Sequence, residues 1–428
     1  MAGRTGAVWF GDRLVGHLRE DEGRNILFAY DPGWLDGTGF PISISLPLSI
    51  HDEEVNAHAW FTGLLPEGDA LLLACRMNGV RQSDPMGLLL ACGADCAGAL
   101  SILPSEEYTP ATAEAPRELS VGELASLVNS SGKDMPAFPD GGVRFSLSGA
   151  QQKLAVVHDG GTYSLSTRAN PSSHILKFET APGVCFAESI THAIAGETGL
   201  PVVETQFLQT GDGDGQPPWL RITRYDRVRD RDGALVRVHQ EDTAQALRLY
   251  PFEKYQSDQS GYGPSISAIA RLLQAHAAQP AVALSTLLDW QILNCLLGNW
   301  DGHAKNLSLL YPAGQRAPAL APCYDMVSIE YLNRFQHNPW TRDLALAVGE
   351  HVRLEQITRA DWEQMAVGLG MPAKTVLARL EEKATLLPDV TDRVLAEFIT
   401  RHGGNDGYEQ ILNVVGAHCR QVLNSMVE

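Results

Sequence analysis

Positive charge is in deficit in this chain. Its 33 Lys and Arg stand against 51 Asp and Glu, a formal net charge of −18 over 428 residues. That argues against a protein that grips nucleic acid by bulk electrostatics, though not against a local basic face. Cysteine is scarce and unpatterned. The seven, at positions 75, 92, 96, 185, 295, 323 and 419, are an odd number set mostly in apolar runs. They read as buried thiols in a reducing compartment, not as a disulfide framework. Cys92 and Cys96 are four apart with no second Cys/His pair nearby, so no zinc site is expected. No charged-then-apolar leader and no apolar run of 18 residues is read, so the expectation is a cytoplasmic protein with no membrane partner.

The composition that remains, 44% hydrophobic and 20% charged, is that of a folded globular chain. Its length exceeds what one core usually organises, so two or three lobes are expected. Residues 1–104 read as an α+β subdomain. In it AVWF and LVGHL flank a GDR turn as a hairpin, ILFAY and ISISL add strands, and WFTGLLPEGDALLLACRMNG and DPMGLLLACGADCAGAL are helical. Residues 105–119, rich in Pro, Ala, Thr and Glu without periodicity, have linker composition. Residues 120–240 open with the capping box SVGE before a helix, then run through strand-like segments interrupted by one helix, CFAESITHAIAGETG. Residues 241–428 are chiefly helical. The arginine-rich RITRYDRVRDRDGALVRVH, with its alternating aspartates, reads as a solvated hairpin. The expected architecture is α+β: a two-lobed, protein-kinase-like fold, β-rich lobe before helical lobe, with an N-terminal α+β accessory subdomain.

Within the helical part, LGNWDGHAKNLSLLY (297–311) places Asp301, His303, Lys305 and Asn306 in six residues directly after the apolar STLLDWQILNCLLG. A polar loop between buried elements is costly without a purpose. Phosphoryl transfer needs a carboxylate to take the proton of the attacking hydroxyl, oxygen ligands for Mg²⁺ and cations against phosphates. Kinases carry the base and a metal-binding Asn as D-x-x-x-x-N, and Asp301 and Asn306 have that spacing. CYDMVS supplies Asp325, nineteen residues after Asn306, as a second metal ligand. In the β-rich part, FSLSGAQQKLAVV (145–157) sets Ser146, Ser148 and Gly149 between strand-like runs, with Lys153 at the end. That suits a short loop whose N–H groups approach phosphates, although it is neither a Walker A nor a G-x-G-x-x-G loop and also fits a plain turn. Lys177, inside the apolar strand SHILKFE, is either a phosphate-gripping lysine or a snorkelling edge residue. Its glutamate partner is left open between Glu188 and Glu197.

These segments together resemble the HipA-type serine/threonine kinases, toxins of bacterial type II toxin–antitoxin pairs, over nearly the whole chain. WFTGLLPEG and DPMGLLLACGADCAGALSILP resemble that family's N-terminal subdomain, FSLSGAQQK its phosphate loop, and SHILKF its lysine strand. NWDGHAKNLSLLY and LAPCYDMVS resemble its catalytic and metal-binding segments. The resemblance implies dependence on ATP and Mg²⁺, with Asp301 as general base and Asn306 and Asp325 as metal ligands. It implies nucleotide contacts from Ser148, Gly149, Ala150, Gln151, Gln152, Lys153 and Lys177, from Thr223, Arg224 and Tyr225 at the adenine hinge, and from His303, Ala304, Lys305, Asn306, Tyr324 and Asp325. It implies autophosphorylation at Ser146, with Ser148 a second candidate. The implied partners are a cognate helix-turn-helix antitoxin of HipB type, operator DNA mainly through that antitoxin, and a protein substrate such as an aminoacyl-tRNA synthetase. The rival readings are a small-molecule kinase, or a DNA-bound co-repressor in which catalysis is secondary.

Overall fold

The computed structural model describes residues 3–37, 39–50, 53–104, 116–133, 152–167, 170–209, 216–256, 263–312, 317–334, 340–405 and 407–426. Two compact units divide the chain without following its order. One comprises Met1–Thr180, Leu208–Pro251 and Leu310–Arg316; the other comprises Ala181–Phe207, Phe252–Leu309 and Ala317–Glu428. The helix Val184–Glu197, which sequence order sets among the strands of 120–240, therefore groups with the helical unit.

The strand-rich unit holds an antiparallel sheet in the order Val55–Asn56, Ile26–Tyr30, Arg13–Glu20, Thr5–Phe10, Leu100–Leu103. A second run of antiparallel strands follows the order Thr162–Leu165, Lys153–Asp159, His174–Phe178, Trp219–Thr223. One apolar core passes from Trp34, Phe28 and Phe61 through Met86 and Leu127 to Leu176 and Phe178, so the accessory subdomain and the second sheet share an interior. The helix Val121–Asn129 starts where expected, with the Ser120/Glu123 capping box formed. ISISL does not form a strand. Its backbone closes only an isolated bridge, Ser43 to Leu46, and its polar atoms turn inward instead.

They turn toward Glu241, fully buried on the strand His239–Asp242. Its carboxylate accepts from the Ser43 hydroxyl, the Ile44 N–H at 2.9 Å, the Trp60 indole at 3.2 Å and the Tyr311 phenol. Burial still outweighs these four donors and pushes the Glu241 carboxyl up to about 7.

The hairpin expected to be solvated is wet only at its tip. Arg229, Asp230, Arg231 and Asp232 are exposed, whereas Arg224, Asp226 and Arg227 are buried. Arg224 grips Asp226 through two bonds of 2.9 and 2.7 Å and reaches Ser172 Oγ at 2.9 Å. Arg227 and Arg237 both bond Asp95, which has no exposed surface, and Asp226 also accepts from the Gly98 N–H at 2.7 Å. The three guanidinium groups hold the Asp95 carboxyl far below the usual carboxylate range despite its burial. Charge alternation along the strand describes mutual neutralisation as well as it describes a solvated face, and here the partners on residues 95–98 decide for burial.

The helical unit packs Ile266–His276, Pro280–Leu297, Arg359–Leu369, Ala373–His402 and Gln410–Ser425 with the helix Val184–Glu197. Pro280–Leu297 is long and apolar enough to cross a membrane, contrary to the expectation that no such run exists. Yet 72% of it is buried inside the unit, and its Asp289 meets Arg379 at 3.5 Å, so it is a core helix. All seven cysteines are free and buried, as expected.

A carboxyl whose native pKa is raised keeps in the folded chain a proton that the unfolded chain has lost. The stability contributed by Glu241 is therefore complete below about pH 4.5 and disappears as pH rises to about 7. The expected loss is on the order of 3 kcal/mol across that window. Buried histidines such as His303, whose pKa is lowered, oppose this trend below about pH 6.5, so the Glu241 contribution is read as the difference in urea midpoint between the native chain and Glu241→Gln from pH 5 to 8. In the native chain the midpoints should move downward with pH relative to those of the variant, whatever the variant's absolute stability.

Candidate active site

The catalytic segment begins at the end of the core helix Pro280–Leu297. Gly298 takes a left-handed conformation (φ 70°) to stop the helix, which a β-carbon would oppose twice over, since it would also lie 2.7 Å from Glu330 Cβ. The Ser328 hydroxyl donates to the freed Leu297 carbonyl at 2.6 Å. Asn294, still on the helix, then pins the loop: its carbonyl and side-chain oxygen accept from the N–H and the amide of Asn299, at 2.9 and 2.8 Å. Gly302 passes so close that a β-carbon would sit 2.4 Å from Asn294 Nδ2. Between these fixed points Asp301 is exposed, and the Tyr255 phenol donates to one of its oxygens at 2.8 Å.

From His303 to Asn306 the loop turns inward and is buried. The Ala304 N–H donates to the Lys254 carbonyl at 3.2 Å, and Asn306 closes a tight turn onto the His303 carbonyl. Burial, with Lys254 nearby, pushes the His303 imidazole down to about 3, so it is neutral at physiological pH. Tyr324 ties the next segment to this loop: its phenol bonds the Lys305 carbonyl at 2.6 Å and Ser308 Oγ at 2.7 Å. Asn306 Nδ2 donates to the Asp325 carbonyl at 3.2 Å.

That last bond decides which atom Asn306 offers. With its nitrogen spent on Asp325, the buried amide oxygen Oδ1 has no hydrogen-bond partner among the described residues. An orphaned buried oxygen costs about 1–3 kcal/mol and is the donor type that Mg²⁺ takes. Asp325 itself sits at φ 57°, a left-handed conformation uncommon outside glycine and a known mark of functional sites. Asn306 and Asp325 thus fit a Mg²⁺ ion. No group of three or more His, Cys, Asp or Glu that could hold a metal occurs among the described residues, so an ion here would draw its remaining ligands from phosphates and water.

In the strand-rich unit, Lys153 and Lys177 stand directly opposite each other on antiparallel strands, Lys177 buried. Like charges directly opposite on neighbouring strands are destabilising unless an anionic group lies between them. Gln152 beside them is buried, with its Oε1 unpartnered among the described residues. Thr223 pairs with His174 across the same sheet, and the Tyr225 phenol donates to Gln240. Arg224 departs from expectation. Its N–H is already given to the Ser173 carbonyl at 3.0 Å and its side chain belongs to the Asp95/Asp226 network, so it has no hinge donor to offer adenine. Ser146, Ser148, Gly149, Ala150 and Gln151 lie outside the described residues. Of the two candidate glutamates, Glu197 is exposed and paired with Arg393 at 3.1 Å, whereas Glu188 is fully buried. Thr191 and His192, which also touch the catalytic segments, carry no motif that would single them out, since a lone polar side chain on an apolar helix reads as core; Tyr255 lies outside the helices and is likewise not singled out by the sequence.

An α+β chain of two units, with a D-x-x-x-x-N loop and a following metal-type carboxylate in the helical one, has the two-lobed protein-kinase-like fold. The comparisons specify the class further. The family described as HipA N-terminal domain matches residues 6–103 and the HipA-like C-terminal domain matches residues 145–390; the chain belongs to the HipA family. It is 32% identical to the candidate kinase Y4mE of Sinorhizobium fredii, over 92% of this chain and 94% of that one. It is 27% identical to the serine/threonine-protein kinase toxin HipA of Shewanella oneidensis, over 90% and 88% of the two chains. The solved structure of Shewanella HipA with HipB and its operator DNA superposes with a TM-score of 0.82 at 24% identity, covering 98% of this chain and 97% of that one.

Replacing Gly302 by Ala would press a β-carbon into the Asn294 amide and displace the loop that carries Asp301. The expected outcome is a drop in turnover of about 10-fold or more, by the sensitivity of catalysis to a 1 Å misplacement, with a melting point lowered by only a few degrees. Activity and thermal melts on the same preparation check it.

Proposed function

We propose that this chain is an ATP- and Mg²⁺-dependent protein serine/threonine kinase that acts as the toxin of a type II toxin–antitoxin pair in the cytoplasm. The observation that carries the reading is the paired disposition of Asn306 and Asp325: one amide oxygen left without a partner, one carboxylate on a left-handed backbone, joined by a hydrogen bond. Mg²⁺, when bound, supplies charge neutralisation for the transferring phosphoryl group. Asp301 accepts the proton of the attacking hydroxyl. The Tyr255 phenol, donating to Asp301 at 2.8 Å, helps to orient the carboxylate for that task. Lys153 and Lys177 hold nucleotide phosphates, together with the loop from Ser148 to Gln152. Thr223 and Tyr225 serve adenine, Arg224 contributing only its place in the chain. His303, Ala304, Lys305 and Tyr324 shape the phosphate side.

The partner reading rests on a net charge of −18 together with the Shewanella complex. A chain this acidic is poorly suited to DNA by itself, and HipA of Shewanella is found with HipB on operator DNA. A small helix-turn-helix antitoxin is therefore proposed as the partner through which operator DNA is reached. The protein substrate is proposed to be a translation component such as an aminoacyl-tRNA synthetase, and autophosphorylation is proposed at Ser146 or Ser148.

Asp301→Asn removes the base and should lower phosphotransfer by roughly 10²–10⁴-fold, and Asp325→Asn by at least as much. Both should abolish growth inhibition upon induction without antitoxin, with melting curves near those of the native chain. Phosphoproteomics after induction, native chain beside Asp301→Asn, should show discrete phosphoproteins only with the former. Toxicity retained by Asp301→Asn would overturn the kinase reading.

A further inference from the structure

The carboxylate at position 325 is useful only if the backbone that carries it is held, because a left-handed φ of 57° on a non-glycine residue is strained and relaxes unless its neighbours prevent it. Asn306 restrains the Asp325 carbonyl. The other side of the residue is restrained from the helix Val184–Glu197. His192 Nε2 accepts from the Met326 N–H at 3.1 Å. Since a backbone N–H only donates, Nε2 is the unprotonated nitrogen and Nδ1 carries the hydrogen, which it donates to Thr205 Oγ1 at 2.8 Å. The Thr205 hydroxyl in turn reaches the Val203 carbonyl at 3.4 Å. One residue earlier on the helix, Thr191 Oγ1 accepts from the Ser328 N–H at 3.2 Å while donating to the Ala187 carbonyl. His192 is 2% exposed and Thr191 fully buried. The chain from 325 to 328 is thus bound on alternate N–H groups by two consecutive helix side chains.

We propose that His192, oriented by Thr205, is a positioning residue that sets the aim of the Asp325 carboxylate and so the affinity of the metal site. The inference rests on the kinase reading above for the identity of that site. It also gives the helix a task, since Glu188 lies one turn before His192 on the same face. A shift of this helix would move the Met326 N–H and with it the metal ligand, with no direct contact between helix and ion.

The test uses the full chain with a non-hydrolysable ATP analogue and Mn²⁺ as the spectroscopic probe, free Mn²⁺ being counted by electron paramagnetic resonance. Outer-shell partners of metal ligands are typically worth about 10–100-fold in affinity. His192→Ala should weaken Mn²⁺ at least tenfold and Thr205→Val severalfold. The double variant should be no worse than His192→Ala, because the two residues act in one chain of bonds. Analogue binding without metal should stay unchanged, a result that general unfolding would not give. Should His192→Ala fail to fold, Thr205→Val decides alone. Mn²⁺ affinities within twofold of the native chain in every folded variant, or equal losses of metal-free analogue binding, overturn the proposal. Absence of Mn²⁺ binding by the native chain would instead overturn the assignment of Asn306 and Asp325 as the metal site.

Discussion

The hydrogen bond from the Asn306 amide to the Asp325 carbonyl is the constraint on which the catalytic half depends. It joins two segments nineteen residues apart and sorts the two ends of one amide: nitrogen to the protein, oxygen left over. A net hydrogen bond contributes only about 0.5–1.5 kcal/mol, but the oxygen left unsatisfied costs about as much or more. On the proposed reading, a cation would remove that deficit. The left-handed backbone at Asp325 adds to it. Strain and an orphaned acceptor thus meet on two hydrogen-bonded residues, and the proposed metal would offset both.

Charge in this protein is arranged by depth. The strand-rich unit buries Arg224 and Arg227 with Asp95 and Asp226, and half-buries Arg237 beside them, at the seam between residues 95–98 and 224–237. Such a network gains little over an apolar seam, but breaking it by losing one partner costs about 3–5 kcal/mol. Its effect is to fix register: bidentate guanidinium contacts tolerate no slip between the accessory subdomain and the strand after Thr223. The same requirement commits the Arg224 side chain to this network.

Signals that depend on spacing and local propensity were legible in the sequence. The Ser120 capping box, the hairpin around Gly11 and the buried helix before Gly298 each follow from contacts within a few residues, and the Asp301/Asn306/Asp325 order from a fixed chemical need. What escaped depends on residues far away in sequence. ISISL alternates as a strand should, yet Glu241, nearly two hundred residues on, draws Ser43 and the Ile44 N–H to itself. The arginine hairpin looked solvated because its partners at 95 and 98 lie some 130 positions earlier. His192 carries no sequence signal that sets it apart within its apolar helix, and only the approach of the Met326 N–H gives it a role.

The bonding around the catalytic segments depends little on the identity of the residues that are held. Around the catalytic segments, the polar side chains mostly hold main chain and not one another. His192 accepts from Met326 N–H, Thr191 from Ser328 N–H, Asn306 donates to the Asp325 carbonyl, Tyr324 to that of Lys305, and Ser328 to that of Leu297. A bond to backbone asks nothing of the side chain at the receiving position, so Met326 and Leu297 need only pack to keep these bonds. Only the donors and acceptors on the holding side must keep their chemistry. A backbone held in this way tolerates substitution, and the fold is shared with Shewanella HipA at a TM-score of 0.82 and 24% identity. The residues that carry function are then fewer than the residues that shape it, and the shaping ones, His192 among them, are found by following backbone N–H groups to their acceptors.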